Sequence, residues 1–368
     1  MHQIASSPFP RRSTRPVAVG TVSIGGDAPV RIQSMTNTDT RNPEQTQAQI
    51  ARLYAAGCEI VRVAVPDGAA AKALPAIVSA SPMPVIADIH FDHRLALAAI
   101  AAGVHGLRIN PGNIGGPGQD GQAKTSMVVD AAREAHIPIR IGVNAGSLEK
   151  HLLRRYGGPT PEAMCQSALR HIALLEQRGF FDIKVSLKAS SVPLTLGAYR
   201  LLARECPYPF HIGITEAGTL RAGTVASSVG VGLLLAEGLG DTLRVSLTHD
   251  PVEEVRVAWH ILSALELRRR GPKLISCPTC GRTEIDLIGL AQAVEIALEK
   301  ITQPITVAVM GCPVNGPGEA RDADVGIAGG RGKGVLFRKG EVVGSVTGNQ
   351  TDLLNALMQE VHTLVQGS

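Results

Sequence analysis

Three thiols stand in two Gly/Pro-rich turns near the end of the chain, in Cys277-Pro278-Thr279-Cys280 and in Gly311-Cys312-Pro313. A CxxC pair with a third Cys on a separate loop is a soft-metal arrangement, because thiolates suit zinc and iron–sulfur clusters. No fourth Cys follows Cys312. Three thiolates must therefore share the metal with another ligand or leave a position open. Structural zinc is normally closed by four ligands, whereas a cluster with one unusual iron points to redox chemistry on a substrate. Cys58, Cys165 and Cys206 stand singly in apolar segments and read as buried core thiols.

A second reactive set is spread over residues 62–246. Arg108 and Asn110 stand two apart, as do Asp88 and His90, Ser186 and Lys188, and Arg244 and Ser246; Arg140, Gly142 and Asn144 continue the spacing. Residues two apart on a strand share a face. With Arg62 and Glu216, each reads as lying within or just past the C-terminal part of a strand. Converged on one mouth, Arg62, Arg108, Arg140, Lys188 and Arg244 form an anion site. The planar fork of arginine suits phosphate, and lysine adds a point charge. Five cations suit more than one phosphate rather than a single carboxylate. Asn110, Asn144 and Ser246 supply neutral hydrogen bonds. Asp88, His90 and Glu216 are the titratable groups of this mouth. Cations keep a carboxylate ionised while burial opposes them, and where the two balance Glu216 can act as general acid or base. The competing reading puts these charges against helices as salt bridges, but the helix-facing side of a barrel strand is usually apolar.

The elements that position both sets follow from the texture of the chain. Short β-branched runs recur at 30–33, 60–65, 84–89, 106–110, 138–143, 182–187, 210–215 and 243–247, separated by Ala/Leu-rich stretches of helical spacing such as 44–56, 68–79, 94–102, 161–178 and 194–204. Eight strands alternating with helices predict parallel βαβ units, and about 250 residues is the usual size of a (β/α)8 barrel. A doubly wound sheet is disfavoured, because no GxGxxG loop follows the first strand. The charged segment 266–272 breaks the pattern. The expectation is therefore α/β: an N-terminal (β/α)8 barrel over 1–267 that binds the anion, then a smaller α/β domain over 268–368 that presents the thiol loops. In that domain a helix is expected around 285–300, a strand at 304–310, a Gly-rich hairpin at 325–347 and a closing helix near 351–365.

Composition narrows the class. A net charge of +4 and 3% aromatics lack the basic blocks and stacking rings of a nucleic-acid binder. Six cysteines in 368 residues do not make a secreted disulfide framework. No secretory leader is legible at the N-terminus, and Val229–Leu239 is too short to span a bilayer. A cytoplasmic protein without membrane attachment is expected.

ADIHFD at 87–92, LRINPGNIG at 107–115, IRIGVNAGSLEK at 139–150, GITEAG at 213–218, GDTLRVSL at 240–247, CPTCGR at 277–282 and NGPGEA at 315–320 stand in order. From Arg11 to about residue 345 the chain resembles the 4-hydroxy-3-methylbut-2-enyl diphosphate synthases of the methylerythritol phosphate route to isoprenoids, in their shorter bacterial form. The resemblance implies a [4Fe-4S] cluster on Cys277, Cys280, Cys312 and Glu319, with Glu319 also in a catalytic role and Asn315 at the substrate. It implies reductive ring opening and dehydration of 2-C-methyl-D-erythritol 2,4-cyclodiphosphate, with electrons from a flavodoxin or ferredoxin. It also implies a homodimer in which each small domain caps the other chain's barrel. A linker too short to carry the small domain to its own mouth argues for the same dimer. A zinc-stabilised barrel that binds or hydrolyses a phosphorylated metabolite without redox chemistry is the alternative. Two stretches, 116–124 (read as a long Gly-rich loop) and 321–334, depart from the commoner bacterial pattern.

Overall fold

The computed structural model describes residues 8–114, 119–312 and 320–366. The chain divides into two compact units, 1–268 and 269–368.

In the first unit eight strands run parallel: β3 (Arg31–Met35), β4 (Ile60–Ala64), β5 (Val85–Asp88), β6 (Gly106–Ile109), β7 (Ile139–Asn144), β8 (Ile183–Lys188), β9 (His211–Ile212) and β10 (Thr242–Leu243). Their order is β8-β7-β6-β5-β4-β3-β10-β9, and a parallel bridge from Val185 to Phe210 joins the two ends into a barrel. Around it lie α1 (Pro43–Ala55), α2 (Gly68–Ala80), α3 (His93–Ala101), α4 (Gln119–Glu134), α5 (Lys150–Tyr156), α6 (Pro161–Glu176), α7 (Val192–Leu202), α8 (Leu220–Ala236) and α9 (Pro251–Ala264). Asn42, Asp67, Asp92, Thr160, Ser191 and Asp250 cap α1, α2, α3, α6, α7 and α9 by accepting first-turn N–H groups. Those caps tie the strand-to-helix loops down at the C-terminal end of the barrel. Helix α4 begins at Gln119, so most of the segment 116–124 is helix and not loop: apart from Gly121, residues 119–124 tolerate a helix well.

Alternation along the strands separates two environments. Val61, Val63, Val85, Ala87, Leu107, Ile109, Ile139, Ile141, Ile183 and Val185 face the helices and build the main core. The other set faces inward. At the strand-start end, Ile60 and Ile86 pack with Val19 and Ile24 of a hairpin, β1 (Val17–Val19) and β2 (Val22–Ile24), which closes the floor. The hairpin has no counterpart in the strand pattern of the sequence. Above this apolar floor the interior is polar and mostly cationic.

The second unit is a five-stranded sheet in the order β11 (Lys273–Ser276), β12 (Thr306–Met310), β13 (Val325–Gly330), β14 (Lys333–Arg338), β15 (Glu341–Thr347). The first three strands are parallel and the last two antiparallel. The expected hairpin is thus a three-stranded meander beside a strand, β11, that the pattern did not show. Helices α10 (Leu287–Leu298) and α11 (Gln350–Gln366) cover one face through Leu290, Val294, Leu298, Leu353, Leu357 and Val361. Among the described residues no helix is long and apolar enough to cross a membrane.

Candidate active site

The inward positions of the barrel bring the sequence-predicted cations together. Parallel register places Asp88 beside Arg108, Arg108 beside Arg140, and Asn144 beside Lys188. Arg62, Arg108, Arg140 and Lys188 are each at least nine-tenths buried. Arg140 is the second of six residues in β7, not near its C-terminal end. The stagger of a closed barrel explains this: a residue early in one strand stands beside one late in the strand before. It also brings in a cation that sequence reasoning missed, Lys184, which pairs in register with Arg140 and is 1% exposed.

Two carboxylates hold the girdle. Arg108 Nη1 donates to Asp88 Oδ1 at 3.1 Å, and Arg62 Nε lies 3.6 Å from Oδ2. Burial pushes the Asp88 carboxyl upward, but Arg62 first, then His90 and Arg108, pull it well below the carboxylate range. Asp88 is therefore a fixed negative charge at neutral pH. His90 sits 3.3 Å from Arg108 Nη1 and 3.6 Å from Asp88, with an exposed ring. On the other side Glu254 of α9, missed in the sequence, takes Arg244 through both oxygens at 3.1 and 3.2 Å. Ser34 Oγ and the Leu247 N–H complete its shell at 3.0 and 3.1 Å. A carboxylate one turn into an amphipathic helix carries no strand-spacing signal, which is why the pattern did not show it.

Several donors in the girdle have no partner among the described residues. Arg140 Nη1 reaches Ser186 Oγ at 3.1 Å, but its Nε and Nη2, Arg108 Nε and Lys184 Nζ are buried and unpaired. Burial, then repulsion from neighbouring cations, pushes Arg140, Lys184 and Lys188 well below their ordinary pKa values. Such a set is costly to bury without an anion to answer it. Gly142 makes room: a Cβ there would stand 2.5 Å from Arg108 Nε. Asn110 is buried, while Asn144 and Ser246 are half-buried at the rim. Glu216 follows β9 on an exposed turn with φ 54°, a left-handed conformation that side chains other than glycine adopt at a cost.

In the second unit the thiols converge because β11 and β12 are adjacent and parallel, so the loops after both leave the same end of the sheet. Cys277 Sγ accepts the Gly311 N–H at 3.3 Å, beside Cys312. The Cys280 thiol is exposed and shifted down, toward thiolate, by the Arg282 backbone N–H first and then by the side chains of Arg282 and Thr283. Glu284 N–H donates to Gly311 O at 3.0 Å, tying the two loops together. Asn315 and Glu319 lie outside the described residues. Among the described residues no three His, Cys, Asp or Glu side chains are grouped tightly enough for a single metal ion. The donor set of three free thiols on two tied loops fits a cluster, whose irons spread their ligands further apart than one ion does.

Fold and site define the class: a (β/α)8-barrel enzyme with a cationic mouth, joined to a smaller α/β unit that presents three thiols on loops. The chain matches the GcpE TIM-barrel domain over residues 14–259 and the GcpE protein C-terminal domain over 273–363. It is 62% identical over 356 residues to the 4-hydroxy-3-methylbut-2-en-1-yl diphosphate synthase (flavodoxin) of Maridesulfovibrio salexigens, covering 97% of this chain and 98% of that one. The proteins of the same name from Lawsonia intracellularis and Geobacter sulfurreducens are each 61% identical, over 96% of this chain and 97% and 99% of theirs. The chain belongs to the GcpE family. Nothing in these comparisons supports the zinc-stabilised, non-redox alternative.

Proposed function

We propose that this chain reductively opens and dehydrates 2-C-methyl-D-erythritol 2,4-cyclodiphosphate to 4-hydroxy-3-methylbut-2-enyl diphosphate, with a flavodoxin supplying two electrons singly. The reaction takes up two electrons and two protons and releases one water. The observation that carries the reading is the buried cationic girdle with unpaired Arg108, Arg140 and Lys184 donors, on a chain that also bears the CxxC…C thiols. Arg62, Arg108, Arg140, Lys188 and Arg244 bind the diphosphate. Asp88 and Glu254 hold three of those arginines in place, so Asp88 is a positioning residue and not a proton donor. Asn110, Asn144, Ser246 and Asn315 orient the remaining oxygens. Glu216, with His90 at the rim, supplies a proton to the departing oxygen. Cys277, Cys280, Cys312 and Glu319 would hold a [4Fe-4S] cluster, which when bound feeds electrons to the substrate one at a time.

The mouth and the thiols are proposed to meet across two copies of the chain. At the end of the barrel unit Arg268 donates to Val30 O at 2.7 Å and pairs with Glu59 at 2.7 Å, just before β3 and β4. The chain thus leaves the barrel at its strand-start end, opposite the mouth. The connection 269–272 spans at most about 14 Å at roughly 3.5 Å per residue. A head-to-tail pair closed by a two-fold axis brings each small unit to the partner's mouth.

Anaerobically purified protein is expected to contain iron and sulfide and to convert the cyclic diphosphate when supplied with reduced flavodoxin. Protein with a full complement of iron and sulfide that leaves the cyclic diphosphate unchanged would overturn the reading.

A further inference from the structure

His211 is not one of the residues that spacing or resemblance singles out, yet it lies at the centre of the polar interior. It is 0% exposed, as is Thr242, and Lys188 is 5% exposed. Lys188 Nζ and His211 Nε2 are 3.2 Å apart, and His211 Nδ1 and Thr242 Oγ1 are 2.9 Å apart. These three side chains come from adjacent strands, β8, β9 and β10, and His211 pairs in register with Thr242. The backbone beneath is pinned as well. Tyr199 of α7 accepts the Leu187 N–H at 3.0 Å and donates to His211 O at 2.7 Å, one hydroxyl bridging β8 to β9.

We propose that His211 is a positioning residue for Lys188: its Nε2 accepts a hydrogen bond from the lysine ammonium while Thr242 locks the ring, which fixes the ammonium toward the diphosphate. This rests on the reading that Lys188 binds that group.

The direction of the bonds follows from chemistry. An ammonium has donors and no acceptor, so Nε2 accepts; Nδ1 then carries the hydrogen and donates to Thr242 Oγ1. The ring is neutral, because burial first, then Lys188, Arg140, Lys184 and Arg62, push its pKa well down. Neutrality is what the place requires. Lys188 is faced by His211 from β9, Arg140 from β7, Arg108 from β6, Arg62 from β4 and Arg244 from just past β10, with Asp88 and Glu254 engaged by the arginines. A carboxylate in place of the imidazole would pair with the Lys188 ammonium, offset its charge and compete with the substrate's phosphate. A neutral acceptor orients the ammonium and leaves its charge and two N–H groups for phosphate oxygens. Gly213, two residues on along the same face, lets the backbone pass close to the Arg244 carbonyl, which a Cβ would strike, and also leaves room beside Lys188 Nζ, which that Cβ would meet at 3.3 Å.

The test measures binding of the cyclic diphosphate to the oxidised full-length protein without electron donor, by calorimetry, in a double-mutant cycle. Lys188→Met and His211→Phe are each expected to weaken binding roughly ten- to a hundredfold, the worth of one charge-assisted hydrogen bond. The double variant should be no weaker than Lys188→Met alone. His211→Phe should also bring the alkaline loss of affinity to lower pH, since the charged form of Lys188 loses its acceptor. A folded His211→Phe protein with wild-type affinity and pH profile overturns the proposal. So does an equal loss from His211→Phe in the Lys188→Met background, which marks a role in barrel packing alone. Wild-type affinity in Lys188→Met overturns the reading of Lys188 itself, and this proposal with it. If His211→Phe melts far below wild type, Thr242→Val carries the test: it keeps the ring and frees its tautomer, so affinity is expected to fall about two- to tenfold, the worth of one neutral hydrogen bond, and unchanged affinity overturns the proposal.

Discussion

The barrel mouth and the thiol loops are built by opposite means. In the mouth the main cations rise from strands or their ends, are largely buried, and three are held by a second residue: Arg108 by Asp88, Arg244 by Glu254, Arg140 by Ser186. In the small unit the thiols hang on loops. Cys280 is exposed, Cys277 half-buried, and the two loops are tied by backbone bonds at Gly311. The difference teaches what each region supplies for itself. The mouth is organised before its ligand arrives and is strained by unanswered positive charge. Among the described residues the thiol loops are tied by few bonds of their own, and on the proposed function they take their final arrangement from the metal, as metal binding and local folding are commonly one event.

That contrast can be broken in several places. The largest effect is expected from Cys312→Ser: turnover should fall to background with loss of iron and sulfide, while the cyclic diphosphate still binds, weakened by less than about tenfold, since the charge-assisted bonds come from the barrel girdle. Calorimetry on the oxidised variant checks this, and a parallel collapse of binding would deny the mouth its autonomy. Next, Glu254→Ala leaves Arg244 without its partner in a largely buried setting. Breaking such a pair costs about 3–5 kcal/mol, read as a lower denaturation midpoint, and binding should weaken as well. Arg108→Ala should weaken binding roughly ten- to a hundredfold, and unchanged affinity would remove Arg108 from the clamp.

The smallest effect has the opposite sign. Lys184 is buried without a partner, and its folded-state pKa is well below its ordinary value because of burial and then of Arg140 and Arg62. The unfolded chain binds that proton more tightly, so Lys184 lowers stability increasingly as pH falls below about 10.4. Lys184→Met is expected to raise the melting temperature of the ligand-free protein by a few degrees, on the order of 1 kcal/mol. The gain should fade toward pH 10 and shrink when diphosphate is bound. Thermal melts at pH 7 and 10 measure it, and a gain that does not change with pH would count against the charge as its cause.

Legibility follows the same division. Strand residues were readable because alternation is a two-residue rule: Arg108 with Asn110 and Ser186 with Lys188 fell on one face as expected. The thiol pair was readable because CxxC chemistry is local. What escaped depends on relations between elements. Arg140 stands early in β7, yet the shear of the barrel sets it beside Arg108 late in β6. Glu254 reaches the mouth from a helix, and Lys184 and His211 stand at the starts of their strands, away from the C-terminal ends where strand spacing directs attention. The floor hairpin at 17–24 and helix α4 were hidden by short length and by glycines. Glu319 and Asn315 were reached through resemblance to a family, not through spacing.

The central claim is that mouth and thiolates from two chains make one site. Mixing a Cys312→Ser protein with an Arg140→Ala protein, each inactive alone, tests it most directly. In a mixed pair one of the two sites regains both intact halves, so after random exchange activity should return to about a quarter of wild type per chain. No recovery, with subunit exchange confirmed by differently tagged chains, would show that each chain completes its own site.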